Sequence, residues 1–475
     1  MTPRVKFVTL GCKVNQYETQ AMREAVARAG ARETSDDGRA AAIDDGCDFV
    51  IINTCTVTEK ADRESRYSIR RARRDHPSAK IVVTGCYAER NRQEIEALPE
   101  VDLVLSNHEK ADIAERLFAG CATPQLQDVV FTPQGCKDGG RGRDWKHRYA
   151  PLSISRTEGN GRAFLKIQDG CNHACSFCKV VLVRGRSRSR PLPEIVDEAK
   201  RLRDAGYREI VFAGIQLGAY GADFPPKDGS AIFSARGRVR RHSGGVAEKP
   251  APTLMDVLAA CSEVEGIERL RLSSIEPTDV TPELIEALRD IPKCCPHLHI
   301  PLQSGDDEIL KAMNRRYGRS FYIDLVERLK SELTDFSLTL DVMAGFPGEE
   351  ERHFENTIRL LQIVKPLKCH VFPYSRRGGT RAARLPNCEA KTVRERVNLL
   401  IGLEERLGHA ERMKYQGRVM PVLVEKHDAR AGMVQGLTPN YLKVCFEGNS
   451  DGIGKIVPVK LLNLQGDIFL AAQAS

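Results

Sequence analysis

AFLKIQDGCNHACSFC, residues 163–178, sets a short apolar run directly before three cysteines packed into eight residues. A run such as Ala163–Ile167, closed by Asp-Gly, reads as a buried strand, so Cys171, Cys175 and Cys178 ride on the loop that leaves its carboxyl end. Downstream, apolar runs of the same kind recur to about Glu389: Glu209–Ala213, Leu270–Ser274, His297–Leu302, Leu338–Met343 and Lys368–Phe372. Amphipathic helical patterns separate them, as at Glu194–Ala205, Pro282–Arg289 and Phe354–Ile363. About six β/α units predict a full or partial barrel with its site at the carboxyl ends of the strands.

Upstream, three more runs lead into a cysteine. Val5–Leu10 precedes Gly11-Cys12, Phe49–Ile52 precedes Asn53-Thr54-Cys55, and Ile81–Val83 precedes Thr84-Gly85-Cys86. Helical patterns at Glu18–Ala29 and Glu64–Arg74 lie between them, which predicts a parallel sheet. The carboxyl ends of such strands share one edge, so Cys12, Cys55 and Cys86 can converge there. Cys47 precedes its strand and is expected at the opposite edge.

At 475 residues the chain is long enough for roughly three domains. The expected division is an N-terminal parallel α/β sheet at 1–120, a linker rich in Gly, Pro and charge at 121–156, the barrel at 157–410, and a small all-β barrel at 411–475. The last rests on strand-like runs at Val419–Glu425, Tyr441–Phe446 and Lys455–Val459 between Gly-containing turns. Residues 223–250, with Arg236, Arg238, Arg240 and Arg241, read as an exposed loop. The net charge of +8, from 72 basic and 64 acidic residues, is compatible with a polyanionic partner without requiring one. No run approaches the ~18 apolar residues of a membrane span, and the opening MTPRVKFVTLGCKVNQ is too polar for a secretory signal. A soluble, cytoplasmic, monomeric chain with no membrane partner is expected. In that setting 15 cysteines argue against a disulfide framework and for metal ligation.

Thiolates are the usual protein ligands of iron–sulfur clusters. A four-iron cubane on three thiolates keeps one iron open, and S-adenosylmethionine can chelate it through its amino and carboxylate groups. A zinc site is the competing reading, but zinc wants four ligands, and His173 sits inside the loop where reaching the same ion is strained.

Cys-x3-Cys-x2-Cys before a β/α barrel resembles the radical S-adenosylmethionine superfamily. GCKVNQYET at 11–19, NTCTVTEKAD at 53–62, TGCYAER at 84–90 and RGRSRSR at 184–190 narrow the resemblance to the methylthiotransferase family. So do RLSSIEP at 271–277, HLHIPLQSGDD at 297–307, DVMAGFPGE at 341–349 and HVFPYSRRGGT at 370–380. GCKVNQYET and HVFPYSRRGGT are similar to the branch that acts on N6-threonylcarbamoyladenosine beside the tRNA anticodon. The other branches act on isopentenyladenosine in tRNA and on a ribosomal protein. GLTPNYLKV at 436–444 resembles a TRAM domain, which binds RNA in this family.

The resemblance implies two 4Fe–4S clusters, on Cys12, Cys55 and Cys86 and on Cys171, Cys175 and Cys178. It implies a first S-adenosylmethionine that methylates sulfur at or near the first cluster. A second, cleaved at the second cluster, gives a radical that takes hydrogen from C2 of the adenine. Partners would be the anticodon stem-loop of tRNA, a low-potential electron donor and a sulfur donor. Expected S-adenosylmethionine contacts are Gly214, Ser273, Ser274, Glu276, Gln303, Ser304 and Asp341. No catalytic acid or base stands out. Arg184, Arg186, Arg188 and Arg190 are expected along a phosphate backbone, with a second basic run at Arg66–Arg74. Cys294, Cys295, His297 and His299 read as part of a barrel strand facing the cavity rather than as zinc ligands. Cys121, Cys136, Cys261, Cys369, Cys388 and Cys445 read as incidental. The chain departs from the family in KVVLVRGRSRSR after Cys178, which lacks a proline before Arg-Gly, and in the long loop at 223–250. A non-catalytic iron–sulfur RNA sensor is the reading of a different class; retention of all six ligands and the barrel motifs disfavours it.

Overall fold

The structure, a computed structural model, describes residues 2–34, 46–118, 149–157, 161–224 and 251–474. Residues 121–148 of the expected linker, with Cys121 and Cys136, lie outside the described residues. So do residues 225–250 of the long loop, with its four arginines.

The N-terminal unit is a five-stranded parallel sheet. Its strands are β1 (Arg4–Thr9), β2 (Arg32–Glu33), β3 (Phe49–Thr54), β4 (Lys80–Gly85) and β5 (Leu103–Val104), in the order β2-β1-β3-β4-β5. Side chains alternate between its two faces: Val50, Ile52, Ile81 and Val83 enter one apolar core, Ile51 and Val82 the other. Burial on both faces explains why these strands read as unbroken apolar runs. The helices are α1 (Lys13–Arg28), α2 (Glu59–Asp75), α3 (Cys86–Arg90), α4 (Arg92–Glu96) and α5 (Ile113–Phe118).

The central unit alternates strand and helix. In chain order it has β6 (Ala163–Lys166), β7 (Gln168–Asp169), α6 (Val180–Arg184), β8 (Arg188–Ser189), α7 (Leu192–Asp204), β9 (Glu209–Ala213), α8 (Leu254–Ser262), β10 (Arg269–Leu272) and α9 (Pro282–Asp290). Then come β11 (His297–His299), α10 (Asp307–Ala312), α11 (Arg319–Glu332), β12 (Ser337–Ala344), α12 (Glu351–Val364), β13 (Lys368–Pro373) and α13 (Ala390–Met413). Parallel pairing runs β6-β9-β10 and β11-β12-β13, and bridges Leu270–Cys294 and Ser274–His299 join the halves. The result is a partial (β/α)6 barrel with β6 and β13 as its edges. The helix α1 packs against β6, and α13 packs against β13. Position 410, expected as a domain boundary, falls inside α13, because that helix carries the chain without a break from barrel edge to next unit.

The C-terminal unit is a closed five-stranded barrel, β14 (Val419–Asp428), β15 (Met433–Leu437), β16 (Lys443–Glu447), β17 (Ile456–Gln465) and β18 (Ile468–Gln473). It plugs the amino-terminal end of the larger barrel. Arg269 donates to Leu437 O (3.0 Å), Arg271 to Pro439 O (2.8 Å) and Ser337 to Asn440 O (2.5 Å). Tyr441 stacks on His297 at 4.2 Å. GLTPNYLKV is therefore the docking edge of this unit.

The helix α1 serves two cores. Met22 and Val26 pack under the N-terminal sheet, while Tyr17 and Ala21 join the core of the β/α barrel. Tyr17 Oη donates to Glu198 (2.8 Å). The residue at the head of α1, Cys12, is thus fixed relative to both units.

Candidate active site between two cysteine trios

Cys12 caps α1, Cys55 follows β3, and Cys86 is the first residue of α3. Their turns are tied together. Asn15 donates to Leu10 O (2.7 Å) and Thr54 O (3.0 Å), and the Thr54 hydroxyl donates to Thr84 O (2.6 Å). The chain turns into Cys86 through Gly85, at φ +97°, where a Cβ would lie 2.4 Å from Thr54 O. Two of the three thiols stand at helix amino termini, and burial pushes the Cys86 thiol up. Cys47 bonds to Phe49 O (3.0 Å) at the other end of β3, away from this edge.

Behind Cys86 lies a buried ion cluster. Arg184 donates its Nε–H to Cys86 Sγ (3.3 Å) and bonds Glu18 (2.7 Å), Asp169 (3.1 Å) and Asn15 (2.8 Å). Lys110 and Lys166 also hold Glu18, and Lys166 and Arg188 approach Asp169. Four cations therefore face two carboxylates beside the thiol. Burial alone would raise Glu18, but Arg184, Lys110 and Lys166 outweigh it and hold the carboxyl well below its usual range. The surplus positive charge suits an anionic thiolate-bound group.

Cys171, Cys175 and Cys178 lie on the loop between β7 and α6. Backbone N–H groups of His173 and Val180 donate to Cys171 Sγ (3.3 Å) and Cys178 Sγ (3.4 Å). Arg315 donates to Cys175 Sγ (3.4 Å) and pairs with Glu276. Burial pushes the Cys171 thiol up to about 12 and those of Cys55 and Cys178 up to about 11. These thiols give up protons when they take iron. Burial, Arg316 and Arg315 push His173 down to about 4, so its ring stays neutral. Among the described residues no three His, Cys, Asp or Glu side chains gather about one ion-sized point. A cluster takes its thiolates on separate irons, so the spread trios fit it better than a zinc site.

The two trios are carried by neighbouring elements, since α3 packs on α6. The segment after β13 touches both: Arg377 donates to Thr56 O (2.5 Å), and Ala382 N donates to Ser176 O (2.8 Å). At the carboxyl end of the barrel, Ser273 Oγ and Gln303 Oε1 are buried without a partner among the described residues, as befits groups that receive a polar ligand. Ser274 is exposed there, Glu276 faces Arg315, and Asp341 pairs with His299 (3.2 Å). Gly214 lies against Gln168, whose Oε1 accepts the backbone N–H groups of Ile215 and Gln216.

Four expectations need correction. Ser304 is fully buried and bonded to Thr357 and Asp306 N, a turn residue rather than a cavity contact. Arg184, Arg188 and Arg190 are buried in ion pairs with Glu18, Asp169 and Glu198, so only Arg186 of that series is exposed. Alternation put three of the four inward because their carboxylate partners sit on α1, β7 and α7, invisible in the local pattern. His297 is also turned from the cavity mouth, toward Tyr441 and Thr339. The second basic run is neutralised: Arg66, Arg70, Arg71, Arg73 and Arg74 each lie within ion-pair distance of an acid. Sequence reading missed Arg315, which is adjacent to no cysteine in the chain and reaches Cys175 only through the fold.

The Radical SAM superfamily profile matches residues 165–361, the profile of uncharacterized protein family UPF0004 matches 4–106, and the TRAM domain profile matches 413–466. The chain is 38% identical to threonylcarbamoyladenosine tRNA methylthiotransferase MtaB of Bacillus subtilis, over 96% of this chain and 93% of that one. The chain belongs to the radical S-adenosylmethionine methylthiotransferase family. This methylthiotransferase is also 36% identical to the protein of the same name from Chlamydia pneumoniae, over 93% of this chain and 91% of that one. In fold it resembles the radical S-adenosylmethionine methyltransferase TsrM of Kitasatospora setae, with a TM-score of 0.54 at 15% identity, covering 81% of this chain and 77% of that one. Membership implies a 4Fe–4S cluster and S-adenosylmethionine. Among the described residues of the methylthiotransferase, no helix is long and apolar enough to cross a membrane.

Proposed function

We propose that this enzyme methylthiolates C2 of N6-threonylcarbamoyladenosine beside the anticodon of tRNA, using two 4Fe–4S clusters and two S-adenosylmethionine molecules per product. Cys171, Cys175 and Cys178 would hold one cluster, and Cys12, Cys55 and Cys86 the other. Bound there, the groups supply a 5′-deoxyadenosyl radical on one side of the cleft and a methylated sulfur on the other. The protein's part is placement. Arg315 steadies Cys175 and Glu276 together, while Ser273 and Gln303 offer unspent polar atoms to S-adenosylmethionine. Arg184 steadies Cys86. A low-potential electron donor and a sulfur donor complete the requirement.

The observation that carries this reading is the placement of the two trios on neighbouring elements, supported by the relatives' names. Lys13 favours the threonylcarbamoyl substrate over isopentenyladenosine. It follows Cys12 directly, is half-buried and has no ion pair among the described residues. Arg162 and Arg271 lie within electrostatic reach but are held by Glu209, so Lys13 is the cation left to a ligand. A carboxylate, which the threonyl group has and the isopentenyl group lacks, would find a partner there. Mass spectrometry of tRNA nucleosides from a strain lacking the gene tests the proposal. Loss of methylthiolated threonylcarbamoyladenosine is expected, and its persistence would sink the assignment.

A further inference from the structure

With Arg184, Arg188 and Arg190 buried, the phosphate contacts of a tRNA must come from elsewhere. Some surface arginines in the described residues are neutralised locally, as in Arg208–Glu268 (2.7 Å), Arg289–Asp290 (2.8 Å) and Arg418–Asp335 (2.7 Å). Others, such as Arg28, Arg156 and Arg406, have no ion pair among the described residues, and one set of unpaired cations is gathered together. Arg90, Arg316, Arg376, Arg381 and Arg384 are exposed and Lys179 is half-buried, and none of the six forms an ion pair among the described residues.

They cluster around the mouth of the cleft. Arg90 donates to Gly378 O (3.2 Å), which brings the end of α3 to the segment after β13. Arg381 donates to Ala174 O (3.1 Å), and so does Asn314 (2.8 Å), two residues before Arg316. Lys179 feels the charges of Arg377 and Arg90. The nearby carboxylate Asp62 is taken by Arg377 (2.9 Å), and Glu276 is taken by Arg315. An open cleft of about 570 Å³ runs between Arg376 and Arg384, lined also by Gly378, Gly379 and a single acid, Glu59. Holding unpaired like charges together costs free energy, so their collection at one mouth needs an anion to explain it.

We propose that this arginine rim, centred on residues 374–384, takes the phosphate backbone of the RNA and aims a base between the two trios. The inference rests on the tRNA reading above. A polyanion lying across the rim spans the contact of Arg377 with the Cys55 turn and that of Arg381 with the Cys171–Cys178 loop. Its base is then delivered where both trios can act.

The test uses the full-length, cluster-loaded enzyme and an anticodon stem-loop RNA, with and without the threonylcarbamoyl group, titrated at several salt concentrations. The double variant Arg376→Ala, Arg384→Ala is expected to bind on the order of tenfold more weakly. Its plot of log affinity against log salt should flatten by roughly 1.5–2, equally for both RNAs, because phosphate contacts ignore the base. Arg376→Lys with Arg384→Lys should restore the slope, and Arg289→Ala, which removes a paired arginine, should leave it unchanged. Iron content and the visible spectrum check that each variant is folded and loaded. An unchanged slope and affinity in the double variant would overturn the proposal. So would unchanged RNA affinity with slower cluster reduction, which would make the rim a dock for an acidic electron-transfer protein. Failure of the substrate assignment shows separately in the tRNA nucleosides, since the rim result does not depend on which base is modified.

Discussion

The two cysteine trios are assembled by opposite routes. Cys171, Cys175 and Cys178 come from one loop, where the backbone N–H groups of His173 and Val180 hold two of the thiols. Cys12, Cys55 and Cys86 come from three strand ends and meet only once a parallel sheet has formed and Asn15 and Thr54 have tied the turns. The first arrangement is local and costs little loop-closure entropy. The second is long-range and is only as good as the domain that carries it. The lesson is that a local trio tolerates a loosened fold, whereas a trio assembled by topology does not.

Single-cysteine variants give the largest expected effects and divide the trios by chemistry. Cys178→Ala should abolish cleavage of S-adenosylmethionine to 5′-deoxyadenosine and remove about half the iron, by the one-cluster-per-trio reading. Cys86→Ala should lose the same share of iron yet still release 5′-deoxyadenosine, with no methylthiolated RNA. Loss of both activities in both variants would erase the distinction.

The buried ion cluster gives the next effect, and it should fall on the long-range trio alone. Glu18→Gln leaves Arg184, Lys110 and Lys166 short of a counter-charge, a change that typically costs about 3–5 kcal/mol in a buried pair. Urea unfolding midpoints measure it. The pH profile carries the sign. Burial would raise Glu18 and Asp169, but the cations beside them win, Lys166 and Arg184 for Asp169, and hold both below the usual range. Their contribution is complete above about pH 4, where unfolded carboxylates are ionised, and is lost as pH falls through the folded values. Acid unfolding should therefore be shallower in Glu18→Gln than in the wild type. A parallel pair of curves would remove the cluster from the account.

The smallest effect compares two glycines. Gly85→Ala and Gly170→Ala each force a side chain into positive φ, costing roughly 1–3 kcal/mol. They also force contacts, at 2.4 Å from Thr54 O and 1.9 Å from Arg186 O. Iron retention after chelator challenge should drop more for Gly85→Ala, because its turn orients one ligand of a trio that has no local support.

The local trio was legible at once from Cys-x3-Cys-x2-Cys. The long-range trio was legible because each cysteine follows a strand-like run, and a parallel sheet sends such ends to one edge. The barrel strands were readable because both faces are buried. The arginine series was misread for an equally physical reason: Arg184, Arg188 and Arg190 owe their burial to Glu18, Asp169 and Glu198, each on a different element from the arginine it holds. Arg315 was missed for the same cause. Pairings between distant charges leave no local periodicity, so a run of arginines looks the same whether it faces solvent or a buried carboxylate.

Helix α1 has one consequence beyond holding Cys12. It belongs to two apolar cores and anchors one end of a buried ion network, so the N-terminal sheet and the barrel have no seam along which to swing. The span between the trios is a ruler, set when the chain folds, rather than a jaw that closes on its substrate. Accommodation then falls to the nucleic acid, which must unstack a base and bring it to a gap of fixed width.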